Sequence, residues 1–471
     1  MRNHTTMVLR SVSLRGVQRR TSAFRIPHMA EPEKRGNLLM LFCSVFLVIA
    51  CNNALFASTP VPAKKQERPI ALIGGTIHTV SGAVIVNGTL LFDKGKITGI
   101  GAAVPVPADA ERIDVTGKHV YPGLINPASN IGLNEIEAAR ATLDMNETGR
   151  INPNVRADVA VNPESELIPT TRANGVTVSH VMPTGSLIAG KTAAMMMDGW
   201  TTDEMTLKAP VGLYVNWPNV RISRSPFVRQ SEEEQKKAID NNLRELQTAF
   251  DDARAYLKAK KADGKTHETD LRWEAFAPLF ERKMALIAGA NEVSQIESAV
   301  QFANEQNVSL IIYGGRDSWK VADLLKQNNV SVIIEPVHDL PNRRWEEYDN
   351  PFTVPMKLHQ AGVLFAISGG GNSTMGERNI GFQAATAASY GLPKDEALRS
   401  VTINAAKVLG IDAMIGSLEN GKDATLIVTT GDPLEVMSAV EMEFIQGKKV
   451  DLRSRHTELW NKYKEKYKQL K

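Results

Sequence analysis

The sequence predicts an α/β fold in which a (β/α)8 barrel is flanked by a small β-sandwich formed from both chain ends. A chain of 471 residues is long enough for one large barrel with a smaller attached domain. Short apolar runs alternate with helical stretches over residues 123–411, as in repeated βα units. Strand-like runs broken by glycine-containing turns occupy residues 70–122 and return over residues 412–451.

Residues 1–57 are typical of an export leader. They contain the uncharged apolar run Leu38–Ala50, whose 13 residues suit a signal peptide and are few for a bilayer span. Three outcomes stay open: lipid attachment at Cys51, cleavage after Ala57, or retention as an uncut anchor. We therefore predict an exported protein, either periplasmic or lipid-anchored to the outer membrane.

The basic charge of the chain lies in this leader. Residues 1–57 hold eight basic and two acidic residues, a net +6, whereas the whole chain carries +3, so residues 58–471 carry −3. Both cysteines, Cys43 and Cys51, also fall in the leader, which leaves no disulfide or thiolate ligand for the rest. We predict no nucleic-acid partner, and contact with a membrane only through an N-terminal lipid or anchor.

The small sheet begins after a linker at residues 58–69. Its predicted strands, over residues 70–73, 84–86, 89–92 and 97–100, are separated by turns at Gly74-Gly75, Asn87-Gly88 and Lys94-Gly95-Lys96. Asn-Gly and similar pairs favour tight hairpins, which predicts an antiparallel arrangement. The second chain end supplies further strands over residues 424–429 and 443–445, and a charged amphipathic helix over residues 452–471 ends the chain.

The barrel prediction depends on continuous apolar runs, which suit parallel strands buried on both faces. They cover residues 308–313, 330–335 and 363–368, with helices predicted over residues 318–326, 378–388 and 394–409. A helical insertion at about residues 231–262 interrupts the alternation, because Ser231 and Glu234 form a capping box before an apolar stripe. We expect the stripe to pack on the barrel.

Several segments resemble the amidohydrolase superfamily, in particular its imidazolonepropionase-like branch. They are Gly117–Ile125, Thr402–Ile411 and Gly416–Leu426, in the family's order. Two more, Ala193–Trp200 and Trp345–Asn350, resemble a sub-branch of exported proteins. The resemblance implies a TIM barrel with a β-sandwich, and a hydrolase that acts on carbon–nitrogen bonds other than peptide bonds through one or two divalent ions at the barrel mouth.

The sequence departs from the family at its metal ligands. The resemblance implies a His-x-His pair ending strand one, a histidine on each of strands five and six, and an aspartate on strand eight. Ala128 and Asn130 stand where the histidine pair is expected, and neither residue type is a good zinc ligand. The corresponding later segments, residues 286–292, 311–315 and 365–372, contain no histidine or aspartate. We therefore predict no cofactor, unless a divalent metal such as zinc occupies a relocated site.

Residues expected near strand ends are the candidates for function, since barrel enzymes hold their sites there. The candidate catalytic residues are His338, Glu335 and His180, which together with Asp339 and Asp198 would also supply the relocated metal site. The sequence Asp198-Gly199-Trp200 favours a turn-forming role for Asp198 over metal binding. The candidate ligand-binding residues are Asn126, Ser129, Asn130, Asn291, Arg343 and Arg378, the arginines as receptors for a carboxylate.

Three functions stay open on the sequence. The protein is a hydrolase with altered ligands, a non-catalytic homologue that binds a small polar molecule, or a structural subunit that pairs with an intact amidohydrolase. The sequence does not choose among these possibilities.

Overall fold

The structure is a computed structural model that describes residues 60–224, 228–263, 268–370 and 374–469. The predicted leader, with its open alternatives at Cys51 and Ala57, lies outside the described residues. Within the described ranges, no helix combines the length and the apolar character that crossing a membrane requires.

Both chain ends contribute to one eight-stranded sheet. The strands are β1 (Ile70–Ile77), β2 (Ile85–Asp93), β3 (Lys96–Gly101), β4 (Glu111–Asp114), β5 (His119–Pro122), β16 (Leu426–Thr429), β17 (Val440–Ile445) and β18 (Lys448–Lys449). Strand β16 pairs antiparallel with β5 on one side and β17 on the other, which joins the two ends of the chain. The two-layered sandwich stays a prediction, because this pairing defines a single sheet.

Two of the three predicted turns in this sheet are wrong. Gly74 and Gly75 lie inside β1, and Asn87 and Gly88 lie inside β2, where Gly75 pairs with Gly88 across an irregularity in the register. A Cβ atom on Gly88 would lie 2.7 Å from Cδ1 of Ile77, so glycine is needed for close approach and not for a turn. The turn at Lys94 and Gly95 is present, and both residues have positive φ.

The central strands form two further sheets. The first sheet has the strand order β10-β9-β7-β6. It consists of β6 (Leu124–Ser129), β7 (Val176–Val181), β9 (Ala193–Met196) and β10 (Thr206–Lys208). The second sheet has the strand order β15-β14-β13-β12-β11-β8. It consists of β8 (Ile188–Lys191), β11 (Gly212–Asn216), β12 (Ala285–Ala290), β13 (Leu310–Gly314), β14 (Ser331–Ile334) and β15 (Phe365–Ile367). Strands β6 and β7 are parallel, as are β11 to β15, which confirms the α/β class.

The two central sheets are continuous through β8 and β9. Only Thr192 separates these strands, and they pair antiparallel with β11 and β7 respectively. One interior cluster draws a residue from each parallel strand: Ile125, Val178, Tyr214, Ile287, Ile311, Ile333 and Ala366. This is the inner layer expected of a barrel. In the described residues no backbone pairing joins β15 to β6, so the closed barrel stays a prediction.

Helices cover the outer faces of these strands. They are α1 (Ala157–Ala160), α2 (Leu167–Arg172), α3 (Thr202–Met205), α4 (Glu232–Asp263), α5 (Leu271–Glu274), α6 (Ala277–Phe280), α7 (Val293–Gln306), α8 (Ala322–Gln327), α9 (Asn350–Ala361), α10 (Ile380–Ser389), α11 (Lys394–Ser400), α12 (Ile403–Leu409) and α13 (Arg455–Gln469). Within the described residues, 3₁₀ turns occupy Arg140–Thr142, Ser318–Val321 and Thr374–Asn379. The long inserted helix α4 packs Leu246, Phe250 and Ala253 into the main apolar core.

A buried ion pair links the central strands to the C-terminal part of the large sheet. Arg172 donates to Asp198 over 2.8 Å, and their side chains are 4% and 1% exposed. Lys448 lies 3.3 Å from the same carboxylate, and the backbone N–H of Ala63 donates to it. Burial raises the pKa of the neighbouring Glu443 well above its ordinary value. Asp198 therefore acts in this ion pair, away from any metal cluster.

We expect Asp198→Ala to lower the free energy of unfolding by about 3 kcal/mol, because it leaves the buried Arg172 without its partner. Urea denaturation monitored by circular dichroism measures the change. Glu111→Ala, which removes the partner of Arg68 in a solvent-exposed ion pair, serves as the control and is expected to cost less than about 1 kcal/mol. Equal losses in the two variants would contradict the assigned role of Asp198.

Candidate functional site

The carboxyl ends of the parallel strands bring together two polar regions. One is a solvent-free cluster around Glu377, which joins β6, β7 and the 3₁₀ turn that follows β15. The other is an open cavity at the ends of β12, β13 and β14. Some of the residues predicted to be catalytic or ligand-binding lie in one of these two regions, and the others make local contacts elsewhere.

Glu377 is the centre of the first region, and the sequence analysis missed it. Its side chain is buried, with the residue 1% exposed. The hydroxyl of Ser129 donates to one carboxyl oxygen, and that of Ser179 donates to the other over 3.3 Å. Burial raises the pKa of Glu377 to about 7, although hydrogen bonds from Ser129, Asn126 and Ser179 oppose this shift. The signal available in the sequence was a charged residue soon after the strand-eight segment.

Asn126 connects β6 to the segment after β15. Its amide oxygen accepts from the backbone N–H of Gly369 over 3.0 Å, and its amide nitrogen donates to the carbonyl of the same residue over 3.4 Å. Asn126 and Ser129, both candidates for ligand binding, are thus occupied by contacts within the protein. They order the strand ends and do not line the cavity.

His180 lies within β7 and is fully buried. One ring nitrogen is 2.7 Å from the carbonyl oxygen of Pro127, and the other is 2.7 Å from the hydroxyl of Thr192. Burial lowers the pKa of His180 to about 4, so the ring is neutral near pH 7. Both nitrogens are occupied, which leaves neither for a metal or a substrate.

The cluster proposed around His338 does not converge on a metal. The Nε2 atom of His338 lies 2.6 Å from the hydroxyl of Thr386. Glu335 and Asp339 turn to Arg316, which donates to Glu335 over 3.1 Å and also to Asp339. Across the ranges that the structure describes, no group of three or more histidine, cysteine, aspartate or glutamate side chains is arranged to hold a metal ion. The relocated metal site is therefore not formed by these residues.

The cavity has a volume of about 410 Å³. Its walls carry two arginines, Arg316 and Arg343, and four acids, Glu292, Glu335, Asp339 and Glu346. Side-chain amides line the remaining polar surface: Asn219, Asn291, Gln295, Asn342 and Asn350. Because acids outnumber bases, the walls are acidic overall.

Both arginines of the cavity are already paired with carboxylates. Arg343 donates two nearly parallel hydrogen bonds to Asp317, of 3.0 and 2.8 Å, and a third of 2.6 Å to Glu346. Hydrogen bonding to Asp317 raises the pKa of Arg343 above its ordinary value. The expectation that Arg343 receives a ligand carboxylate is therefore not supported, because the fork of its guanidinium is filled from within the chain.

The remaining candidates have different surroundings. Asn291 lines the cavity, and its amide oxygen accepts from the backbone N–H of Arg316 over 3.2 Å. Asn130 donates to the carbonyl oxygen of Met182 over 2.7 Å, away from the cavity. Arg378 lies 2.9 Å from Nδ1 of His456, beside the C-terminal helix. Of the six candidates for ligand binding, the cavity walls hold Asn291 and Arg343.

Two tyrosines belong to the parallel strands β11 and β13. The rings of Tyr214 and Tyr313 meet edge to face, with centroids 6.1 Å apart. Burial, followed by the nearby charges of Glu335, Tyr214 and Glu377, raises the pKa of Tyr313 far above its ordinary value. Tyr313 is thus within electrostatic reach of the cavity carboxylate and of the buried one, and it stays neutral.

Comparison with known proteins supports the resemblance to amidohydrolases. Residues 343–451 match the Amidohydrolase family. Amidohydrolase tasK of Hapsidospora irregularis is 23% identical over an alignment of 429 residues, and the match covers 84% of this chain and 42% of that protein. The chain thus spans less than half the length of this curated relative.

Solved structures extend the likeness to the fold. An amidohydrolase from Thermotoga maritima has a TM-score of 0.72 and 26% identity, and the match covers 82% of this chain and all of that one. A prolidase complexed with N-methylphosphonate-L-proline has a TM-score of 0.51 and 16% identity, over 81% and 99% of the two chains. The amidohydrolase likeness is confirmed, while the imidazolonepropionase-like branch and the exported sub-branch stay predictions.

We expect the stability of the fold to fall as pH rises because of Glu377. Its folded pKa of about 7 lies above the ordinary value of 4.5, so the protonated form stabilises the fold. This contribution is fully present below pH 4.5 and is lost as pH rises through about 7, a loss of about 3 kcal/mol. Glu377→Gln keeps the neutral form at every pH. Urea denaturation below pH 4.5 and above pH 7 measures the free energy of unfolding of both proteins, and the variant should be the more stable one only at the higher pH. If the free energies of unfolding of the two proteins changed equally with pH, Glu377 would not be the titrating group.

Proposed function

We propose that this amidohydrolase-like protein binds a small, positively charged polar molecule in the cavity at the ends of β12, β13 and β14, and that it does so without the metal centre of its family. The observation that carries the proposal is the cavity itself, which combines about 410 Å³ of space with an excess of carboxylates. Ligand sites in barrel proteins are found at the same end of the strands.

The residues at the strand ends support the absence of the usual metal. By resemblance to the family, strand one should end in two histidines, but β6 and the residue after it provide Ala128 and Asn130. Alanine has no donor atom, and a neutral amide is a poor ligand for zinc. In the same region the buried Glu377 is committed to Ser129 and Ser179. This donor set does not fit the metal that the family implies.

The charge of the cavity determines the chemistry of the ligand. Arg316 is paired with Glu335 and Asp339, and Arg343 with Asp317 and Glu346, so neither guanidinium is left for an anion. The excess carboxylates favour an ammonium or guanidinium group, and the amides of Asn219 and Asn291 suit hydroxyl or amide groups on the same molecule.

The first test uses agmatine, which carries both an ammonium and a guanidinium group, and isothermal titration calorimetry. We expect Glu335→Gln to weaken agmatine binding by about tenfold, because the variant removes one wall carboxylate and leaves Arg316 with less compensation. Glu281→Gln, an exposed carboxylate outside the cavity walls, is the matched control and should bind like the unmodified chain. The proposal fails if agmatine does not bind, or if glutarate, a dianion, binds more tightly.

The second candidate function is hydrolysis of carbon–nitrogen bonds other than peptide bonds. It is favoured by the match to the whole length of the Thermotoga maritima amidohydrolase. It is also favoured by Glu377, because a carboxyl with a pKa of about 7 is suited to proton transfer near neutral pH. Glu377 is not among the residues that line the cavity, which is why binding ranks above hydrolysis.

Metal analysis separates these two functions. We expect the full-length chain, purified without chelator, to contain far less than one zinc, manganese or iron ion per molecule by plasma mass spectrometry. Agmatine binding should then be unchanged by chelator. Stoichiometric metal, together with chelator-sensitive hydrolysis of N-acyl amino acids, would instead support the second candidate and a ligand set outside the residues considered above.

A further inference from the structure

The C-terminal helix α13 has an aromatic face that the described residues leave uncovered. Trp460, Tyr463 and Tyr467 are spaced by three and four residues, so their side chains share one face of the helix. They are 62%, 49% and 63% exposed, and every residue of α13 is exposed. An amphipathic helix of this length gains little stability in water unless that face packs on something.

The charges of α13 are ordered around this face. At roughly 100° per residue, Lys464 and Lys466 border the aromatic face on its two sides, whereas Glu458 and Glu465 lie roughly opposite it. The ammonium group of Lys464 is 4.4 Å from the ring centre of Trp460, and that of Lys466 is 5.8 Å from the ring centre of Tyr463. Five basic and two acidic residues give the helix a net charge of +3.

Among the described residues, the hydrogen bonds that fix α13 in place are made at its first turn. Ser454 and Thr457 exchange hydrogen bonds that cap the helix, and His456 lies 2.9 Å from Arg378. The edge of the helix that carries Leu459 and Lys462 faces Glu166, across a shallow groove. The aromatic face therefore projects away from a fixed starting point.

We propose that α13 binds the surface of a membrane that contains anionic phospholipids. Aromatic side chains with a polar edge favour the boundary between headgroups and acyl chains, where one end is apolar and the other is hydrated. Lysines on both borders extend toward phosphate groups while their stems cover apolar surface. The acids lie on the side that faces water, so each charge is placed where a surface-bound helix needs it.

The same arrangement is less suited to other partners. Lysine is depleted from the centre of protein interfaces, yet here lysines enclose the contact face. A nucleic acid would need the cations at the middle of the contact face to reach its phosphates, whereas α13 has aromatic rings there. This surface contact is separate from an N-terminal lipid or anchor, and from the cavity.

The test is hydrogen–deuterium exchange of the full-length chain with vesicles of phosphatidylcholine, with and without phosphatidylglycerol. We expect slower exchange in peptides from residues 455–469 only when phosphatidylglycerol is present. Lys464→Gln/Lys466→Gln should weaken this protection by about tenfold or more. Lys236→Gln/Lys237→Gln, an equal charge change on exposed lysines of α4, is the matched control and should keep it.

A second pair of variants tests the aromatic face. Trp460→Ser should reduce the protection, whereas Trp200→Ser, at a tryptophan of similar exposure outside α13, should not. Equal protection by phosphatidylcholine alone would overturn the proposal. So would protection by a single-stranded oligonucleotide but not by vesicles, or protection that depends on protein concentration without vesicles, which would indicate a nucleic acid or a second copy as the partner.

Discussion

A carboxyl group withdrawn from water must be neutral or be hydrogen-bonded to the protein; Glu377 is hydrogen-bonded to two serines and is mostly neutral below its pKa of about 7. Its partners Ser129 and Ser179 belong to neighbouring parallel strands, while Glu377 itself follows β15. The link from Asn126 to Gly369 spans the same gap. Side chains thus connect β6 to the segment after β15, where backbone pairing within the described residues does not, and the positions of the strand ends depend on this cluster.

That cluster also limits where a ligand can bind. Ser129, Asn126 and His180 use their hydrogen-bonding atoms within the protein, so at the ends of β6 and β7 these three side chains are not available to a ligand. The side formed by β12, β13 and β14 remains open, and carboxylates outnumber arginines there. Tyr214 is buried and Tyr313 is partly buried, and both stay neutral because their pKa values are raised. A polar ligand is therefore directed to the acidic side.

Local patterns in the sequence predicted the parallel strands and the inserted helix, because apolar periodicity reports burial directly. The same patterns misplaced Gly75 and Gly88, since a glycine needed for close approach between two strands looks like a turn residue in one dimension. The hydrogen bonds around Glu377 could not be predicted from local sequence patterns, because its partners Ser129 and Ser179 are 248 and 198 residues away in the chain. Arg343 was misjudged for a similar reason: its partner Asp317 lies 26 residues earlier, on another loop.

The net charge of the whole chain hides a difference in sign between α13, which is basic, and the rest of the protein after the leader, which is acidic. Removing the leader leaves −3 on residues 58–471, and removing the six basic and two acidic residues of 455–471 leaves −7 on residues 58–454. An anionic surface repels such a body and attracts only the basic end. Because charges are screened over about 10 Å at moderate ionic strength, the attraction acts where Lys464 and Lys466 approach the surface. The asymmetry would therefore orient the protein as well as attach it.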